Sequence, residues 1–376
     1  MIEILEKIQI KENSILNNYK HKKILFIGSE SYDGCTITIL EGLQELGYTI
    51  YTYKKNNINS WFCNTIIEDI EPILNDIDFV LSNLHWGTRW NLYKKIPKNI
   101  PRILIDADDR IGNNNTWKDK FNKYWRQYKQ NPPENIKNSI LSPYRWMEHI
   151  DDYTPDIIFM SQKTNKDKNV IYLPFGINDF YNKQFTNNKD RKYDFTNIPG
   201  PGKYRTELNN KMHLCPGKVH NKQSYGNWIP IPEIDDFIKK DKNVHSWHRW
   251  RLNEGYFNVL NDTKVFVFPG NGDCGFESKR PWEALSCGSL LLFHAPEDVE
   301  NGGITEYSMK HLWEKSIFKF RNYNDLKDIC NQLYNDKNYL EQQRKICYEN
   351  GQKYFNSIPI AKYFLLQVYN NIILNE

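Results

Sequence analysis

The sequence predicts an α/β fold of two domains, each a parallel sheet flanked by helices. Three observations point to it. Apolar runs of four or five residues recur along the chain, each closed by Gly, Pro or a polar turn, as buried strands of a parallel sheet are. Stretches with helical spacing follow several of these runs, so strands alternate with helices rather than with hairpin turns. The 376 residues, 39% of them hydrophobic, are enough for two domains of ordinary size.

Residues 1–20 read as an amphipathic lead helix or a loose arm. The first domain proper starts at Lys22–Gly28, KKILFIG, a buried strand ending in Gly. A polar loop follows at residues 29–34. Ile39, Leu40, Leu43 and Leu46 then recur at helical spacing, and Gly47 stops the helix. Tyr48–Tyr53 is the next strand, which completes a βαβ unit and makes the sheet parallel. The unit resembles a Rossmann half, but it has no Gly-x-Gly-x-x-Gly fingerprint, so loop 29–34 is a poor dinucleotide cradle. Further strands are expected at Asp78–Ser82, Arg102–Asp106, Asp156–Met160 and Val170–Leu173. Residues just after such strands face the ligand crevice of an open α/β sheet. His85, and the cluster Asp106, Asp108 and Asp109, hold such positions. One of them can serve as the general base that takes a proton from an acceptor hydroxyl. The acidic cluster can equally cap the next helix or pair with Arg110. Residues 110–150 are rich in Trp and Tyr. They read either as an acceptor-binding excursion or as a helical insertion with buried aromatics.

Residues 179–191 are polar and read as a linker. The second domain opens with a strand at Lys192–Ile198. The loop Pro199-Gly200-Pro201-Gly202-Lys203-Tyr204-Arg205 then runs into a helix, and brings the basic Lys203 and Arg205 to its start. Backbone at Gly202 and charge at Arg205 suit a diphosphate at a helix N-terminus. His245–Arg251, HSWHRWR, is basic and aromatic. Trp247 and His248 can stack a nucleobase, or pack against the helix expected at Asn253–Leu260. A strand at Lys264–Phe268 leads into a glycine-rich loop with Gly270, Gly272 and Asp273, then into a helix at Lys279–Ser286. Cys287-Gly288 stops that helix, and a strand follows at Ser289–Phe293. With no large side chain before Phe276, a ligand can approach the loop backbone closely. Arg280 and Glu283 share one helix face, since they are three residues apart. The Arg can bond phosphate and the Glu can accept from vicinal hydroxyls, as a ribose offers. The same spacing also fits an ion pair on a solvated face. The C-terminal part reads as helices at Tyr323–Asn335, Asn338–Phe355 and Ile358–Ile373.

The segment Arg280-Pro281-Trp282-Glu283-Ala284-Leu285-Ser286-Cys287-Gly288-Ser289 resembles the donor-site helix of GT-B glycosyltransferases, and of the CgeB-like group in particular. The resemblance implies two Rossmann-like domains facing each other across a cleft. It gives Arg280 to the diphosphate and Glu283 to the ribose of a nucleotide-sugar. It also implies that the last helix returns to the N-terminal domain. The acidic residue that retaining members often carry upstream of the ribose Glu is here Gly275, and Glu277 is out of register. No Asp-x-Asp like that of GT-A enzymes sits at a donor position, so no metal ligands and no required cofactor are predicted.

Seven Cys with no Cys-x-x-Cys argue for free thiols and a reducing, cytoplasmic setting. His213, Cys215 and His220 lie close together, but no four-ligand set is completed. The first residues contain no run long enough for a signal core or membrane span. Net charge is +4, a mild excess that does not call for nucleic acid, though it leaves nucleic acid open. The expected division is an acceptor domain at 1–178, a linker at 179–191, a nucleotide-sugar domain at 192–355 and a returning helix at 356–376. The expected function is transfer of a sugar, UDP-linked, to a hydroxyl acceptor such as a glycan or glycoconjugate. The alternatives are a glycosyltransferase acting on modified DNA bases and a non-catalytic nucleotide-sugar-binding module.

Overall fold

The structure is a computed structural model, and it describes residues 21–27, 34–53, 65–83, 95–106, 155–160, 170–177, 190–198, 203–222, 254–268, 279–294 and 317–373. The expected lead segment 1–20, loop 29–33, the aromatic stretch 110–150, most of the linker 179–191 and the loop after residue 294 lie outside the described residues. The chain divides into two units, Met1–Pro174 with Ile358–Glu376, and Phe175–Ser357.

The first unit holds a parallel sheet of seven strands. They are β1 (Lys23–Ile27), β2 (Thr49–Tyr53), β3 (Thr65–Ile67), β4 (Phe79–Asn83), β5 (Arg102–Asp106), β6 (Ile157–Met160) and β7 (Ile171–Tyr172). Their order is β3-β2-β1-β4-β5-β6-β7, and each ladder is parallel. Helix α1 (Gly34–Glu45) makes the crossover from β1 to β2. Strands covered on both faces need apolar residues throughout, and Ile24–Ile27 and Phe79–Leu81 supply them. One face packs Leu25, Ile27, Val80 and Leu104 with Ile70, Ile77, Ile96 and Ile100. On the other, Phe364 meets Phe159 at 4.7 Å and Phe79 at 5.9 Å between ring centroids.

The second unit holds five parallel strands in the order β12-β11-β10-β8-β9. They are β8 (Tyr193–Thr196), β9 (Val219–His220), β10 (Thr263–Phe268), β11 (Leu290–His294) and β12 (Ile317–Phe320). The connecting helices are α2 (Lys203–Lys211), α3 (Glu254–Asn261) and α4 (Lys279–Ser286). The C-terminal helices of this unit are α5 (Tyr323–Asn335) and α6 (Lys337–Phe355). Asn322 caps α5 by accepting from the N–H groups of Asn324 and Asp325, and Asp336 caps α6 by accepting from Tyr339 N–H.

Helix α7 (Ser357–Val368) carries the chain back into the first unit, where Phe364 is fully buried and Tyr363 donates its O–H to the Tyr172 carbonyl. The last expected helix is not continuous. α7 ends at Val368 and a π-type turn covers Tyr369–Ile373. Strands β3, β9 and β12 are short and were not expected. Strands of two to four residues, with a polar residue in each, carry too little period to read.

Candidate functional site

Helix α4 has two faces. Pro281, Trp282, Ala284 and Leu285 are buried, and Trp282 packs on Phe355 of α6 at 5.1 Å between rings. Arg280, Glu283 and Ser286 lie on the other face and are half-buried. The helix stops because Gly288 takes φ +76°, the left-handed conformation that favours glycine. Gly288 N–H then bonds Leu285 C=O at 2.9 Å and Ser289 N–H bonds Ala284 C=O at 3.0 Å. That is a Schellman cap.

Two guanidiniums take up the carbonyls left at this helix end. Arg191 donates to Cys287 C=O, to Thr263 C=O at 2.6 Å and to Leu260 C=O at 3.2 Å. Arg344 donates to Gly288 C=O through Nε and Nη2, both at 3.1 Å, and to both oxygens of Glu341. Both arginines are nearly fully buried. Burial and the nearby Arg344 pull Arg191 down to about 10, so it stays charged at neutral pH. Cations at a helix C-terminus complement the dipole, so the pair fixes α4 from behind. Cys287 sits among these groups as a buried thiol pushed up to about 12, chiefly by burial, which leaves it inert.

At its front end α4 meets the carboxyl edge of the sheet. β8 and β10 are neighbours, β9 lies on the far side of β8, and β11 on the far side of β10. The connections therefore leave β8 and β10 in opposite directions and open a crevice between their carboxyl ends. Arg280 spans that switch point, donating Nη1–H to the Ile198 carbonyl at 2.8 Å. Ile198 lies just beyond β8, whereas Arg280 belongs to the helix that follows β10. Glu283 accepts at 2.6 Å from the hydroxyl of Tyr256 on α3. Each of the two expected residues therefore has a partner off its own helix. Burial and the Glu283 charge push the Tyr256 phenol well above its ordinary range, so it remains a donor.

The first sheet repeats the arrangement. β1 and β4 are neighbours whose connections diverge, and Asn83 at the end of β4 donates to Thr36 Oγ1 of α1 at 3.2 Å. Both side chains are buried. Asp106 is the last residue of β5, at the carboxyl edge where the sequence puts it, and only its backbone is described. The same holds for Arg205 in the first turn of α2. His85, Asp108, Asp109, Gly202, Trp247, His248, Gly270, Gly272 and Asp273 lie outside the described residues. The side chains of His213, Cys215 and His220 meet separate partners. His213 meets Asn210 C=O and His220 meets Lys222 C=O, each at 2.8 Å, while Cys215 Sγ faces Cys330 Sγ at 3.4 Å. Among the described residues no cluster of metal-ligating side chains occurs.

Sequence reading missed Tyr256 as a site residue. It also missed Arg191, the last residue of the segment that reads as a linker. Neither carried a usable signal, because their partners lie 27 and 69 to 96 residues away.

Two parallel, doubly wound Rossmann-like units, with a final helix that returns to the first, make this a GT-B fold. Solved glycosyltransferase structures share it. Sucrose-phosphate synthase from Thermosynechococcus elongatus is 14% identical, with 94% of this chain and 100% of that chain covered, at a TM-score of 0.51. Anabaena HepE in complex with UDP and glucose is 9% identical over 93% of this chain and 99% of that one, at 0.51. The same protein with UDP-glucose gives 10% identity over 93% of this chain and 100% of that one, at 0.50. No family model and no curated protein matches the chain. Among the described residues no helix is long and apolar enough to cross a membrane.

Proposed function

We propose that this protein is a glycosyltransferase that moves a sugar from a UDP-linked donor to a hydroxyl acceptor. The observation that carries the reading is the placement of Arg280 and Glu283 at the switch point of the second sheet. A guanidinium has five donors, so the bond to Ile198 leaves others for a diphosphate at the start of α4. Glu283, one turn on, has the acceptor capacity for the two ribose hydroxyls. Catalysis then comes from holding donor and acceptor in place, and from stabilising the departing diphosphate with Arg280, Arg205 and loop N–H groups. The N-terminal domain, 1–178, is assigned the acceptor, and the base is sought among His85, Asp106, Asp108 and Asp109. The C-terminal domain, 192–355, is assigned the donor. The UDP preference is supported by the solved relatives of this fold that were captured with UDP or UDP-glucose. A cytoplasmic setting is supported by the free thiols Cys35, Cys215, Cys287, Cys330 and Cys347.

The test is turnover. The full chain is incubated with a panel of UDP-sugars and UDP release is followed. Wild type is expected to release UDP from at least one of them, and Glu283→Gln and Arg280→Ala to fall at least tenfold in kcat/KM. UDP binding without release from any donor would instead make the protein a binding module.

A further inference from the structure

We infer that Tyr256 is a positioning residue: its hydroxyl holds the Glu283 carboxylate in the orientation that selects a ribonucleotide over a 2′-deoxyribonucleotide. The inference rests on the assignment of Glu283 to the ribose. Its own basis is the short bond from Tyr256 Oη to Glu283 Oε2, 2.6 Å, made between two different helices. A Glu has three rotatable bonds, and a half-exposed one samples several orientations unless something fixes its end. Here the phenol does so. It is held in turn by Phe257, whose ring meets the Tyr256 ring edge-on at 5.1 Å. Phe257 is its neighbour on α3 and is buried. The carboxylate is thus aimed before any ligand arrives, and one of its oxygens already has a donor. A carboxylate held in one orientation suits a vicinal pair of hydroxyls in one orientation. A sugar lacking one of the pair leaves a fixed acceptor without a partner, and a fixed acceptor cannot turn away to recover that loss.

A purely structural role for Tyr256, joining α3 to α4, would change stability but not this selectivity. The experiment is therefore calorimetric titration of the full chain with UDP and with 2′-deoxy-UDP. Wild type, Tyr256→Phe, Glu283→Gln and the double variant are compared. Wild type is expected to prefer UDP about tenfold or more, as for a site built to bond a hydroxyl. Tyr256→Phe should weaken UDP several-fold, leave 2′-deoxy-UDP nearly unchanged and bring the ratio toward one. The double variant should bind UDP no more weakly than Glu283→Gln alone, because the phenol acts through the carboxylate. If wild type and Tyr256→Phe share one ratio while Glu283→Gln loses it, the role of Tyr256 is overturned and that of Glu283 stands. If wild type itself does not discriminate, both roles are overturned. If wild type binds neither nucleotide, the glycosyltransferase reading goes with them. Should Tyr256→Phe fold too poorly to titrate, Glu283→Asp serves, since it draws the carboxylate back from the phenol. A wild-type ratio in that variant overturns the inference.

Discussion

Arg280 and Glu283 show how much one residue's neighbours decide. On the sequence alone they fit an exposed ion pair as well as a ligand pair. In the structure each is drawn off the helix surface, one to the Ile198 carbonyl and the other to the Tyr256 hydroxyl. Their spacing was legible because three residues make nearly one helical turn. Their partners were not, since tertiary hydrogen bonds leave no periodic trace. His220 makes a prediction at this scale. Burial, and then the charges of Lys192 and Lys222, lower its pKa despite a bond to the Lys222 carbonyl, and its ring lies 4.9 Å from that of Tyr193. The folded state thus binds fewer protons than the unfolded one below about pH 6.5, the ordinary histidine value. The stability owed to neutral His220 is complete above that pH and is lost as pH falls through the lowered folded value. Thermal melts at stepped pH should show a shallower acid loss for His220→Gln than for wild type. Parallel curves would contradict this.

Helix α4 is the element that the site depends on, and its approximate bounds were legible. Arg280 and Glu283 fall on its half-buried face, a Pro stands in its first turn, and Gly288 stops it. What fixes it in space was not legible. Arg191 and Arg344 come from either side of the unit in sequence to meet the carbonyls of Cys287 and Gly288. Replacing Arg191 by Met takes the guanidinium from three buried carbonyls, of which those of Leu260 and Thr263 keep the Ser289 hydroxyl within reach. A urea melt should show a loss of about 3 kcal/mol, with weaker binding of the proposed donor because α4 is loosened. Gly351 on α6 probes the packing behind the helix. A Cβ there would stand 2.9 Å from Leu285 Cδ2 and 3.0 Å from Ile177 Cδ1, and both side chains are buried. Gly351→Ala should cost about 1–3 kcal/mol by overpacking. A neutral outcome would mean that α4 has room to yield.

Across the whole molecule, the alternation of apolar runs with helices was enough to read two parallel sheets. Buried parallel strands are apolar throughout, and Gly or Pro marks their ends. The strand order was not legible, nor were the short edge strands β3, β9 and β12, whose place is set by their neighbours. The return of the chain to its first unit is held by Phe364 of α7, between Phe79 and Phe159. Phe364→Ala should cost about 3–5 kcal/mol in the same urea melt. The most direct test of the functional account is a thermal-shift comparison on the full chain, because a ligand that binds only the native state raises the melting point. UDP and at least one UDP-sugar are predicted to raise it, NAD to leave it unmoved, and Glu283→Ala and Arg280→Ala to abolish the rise. Stabilisation by NAD, with none by any nucleoside diphosphate, would contradict the account.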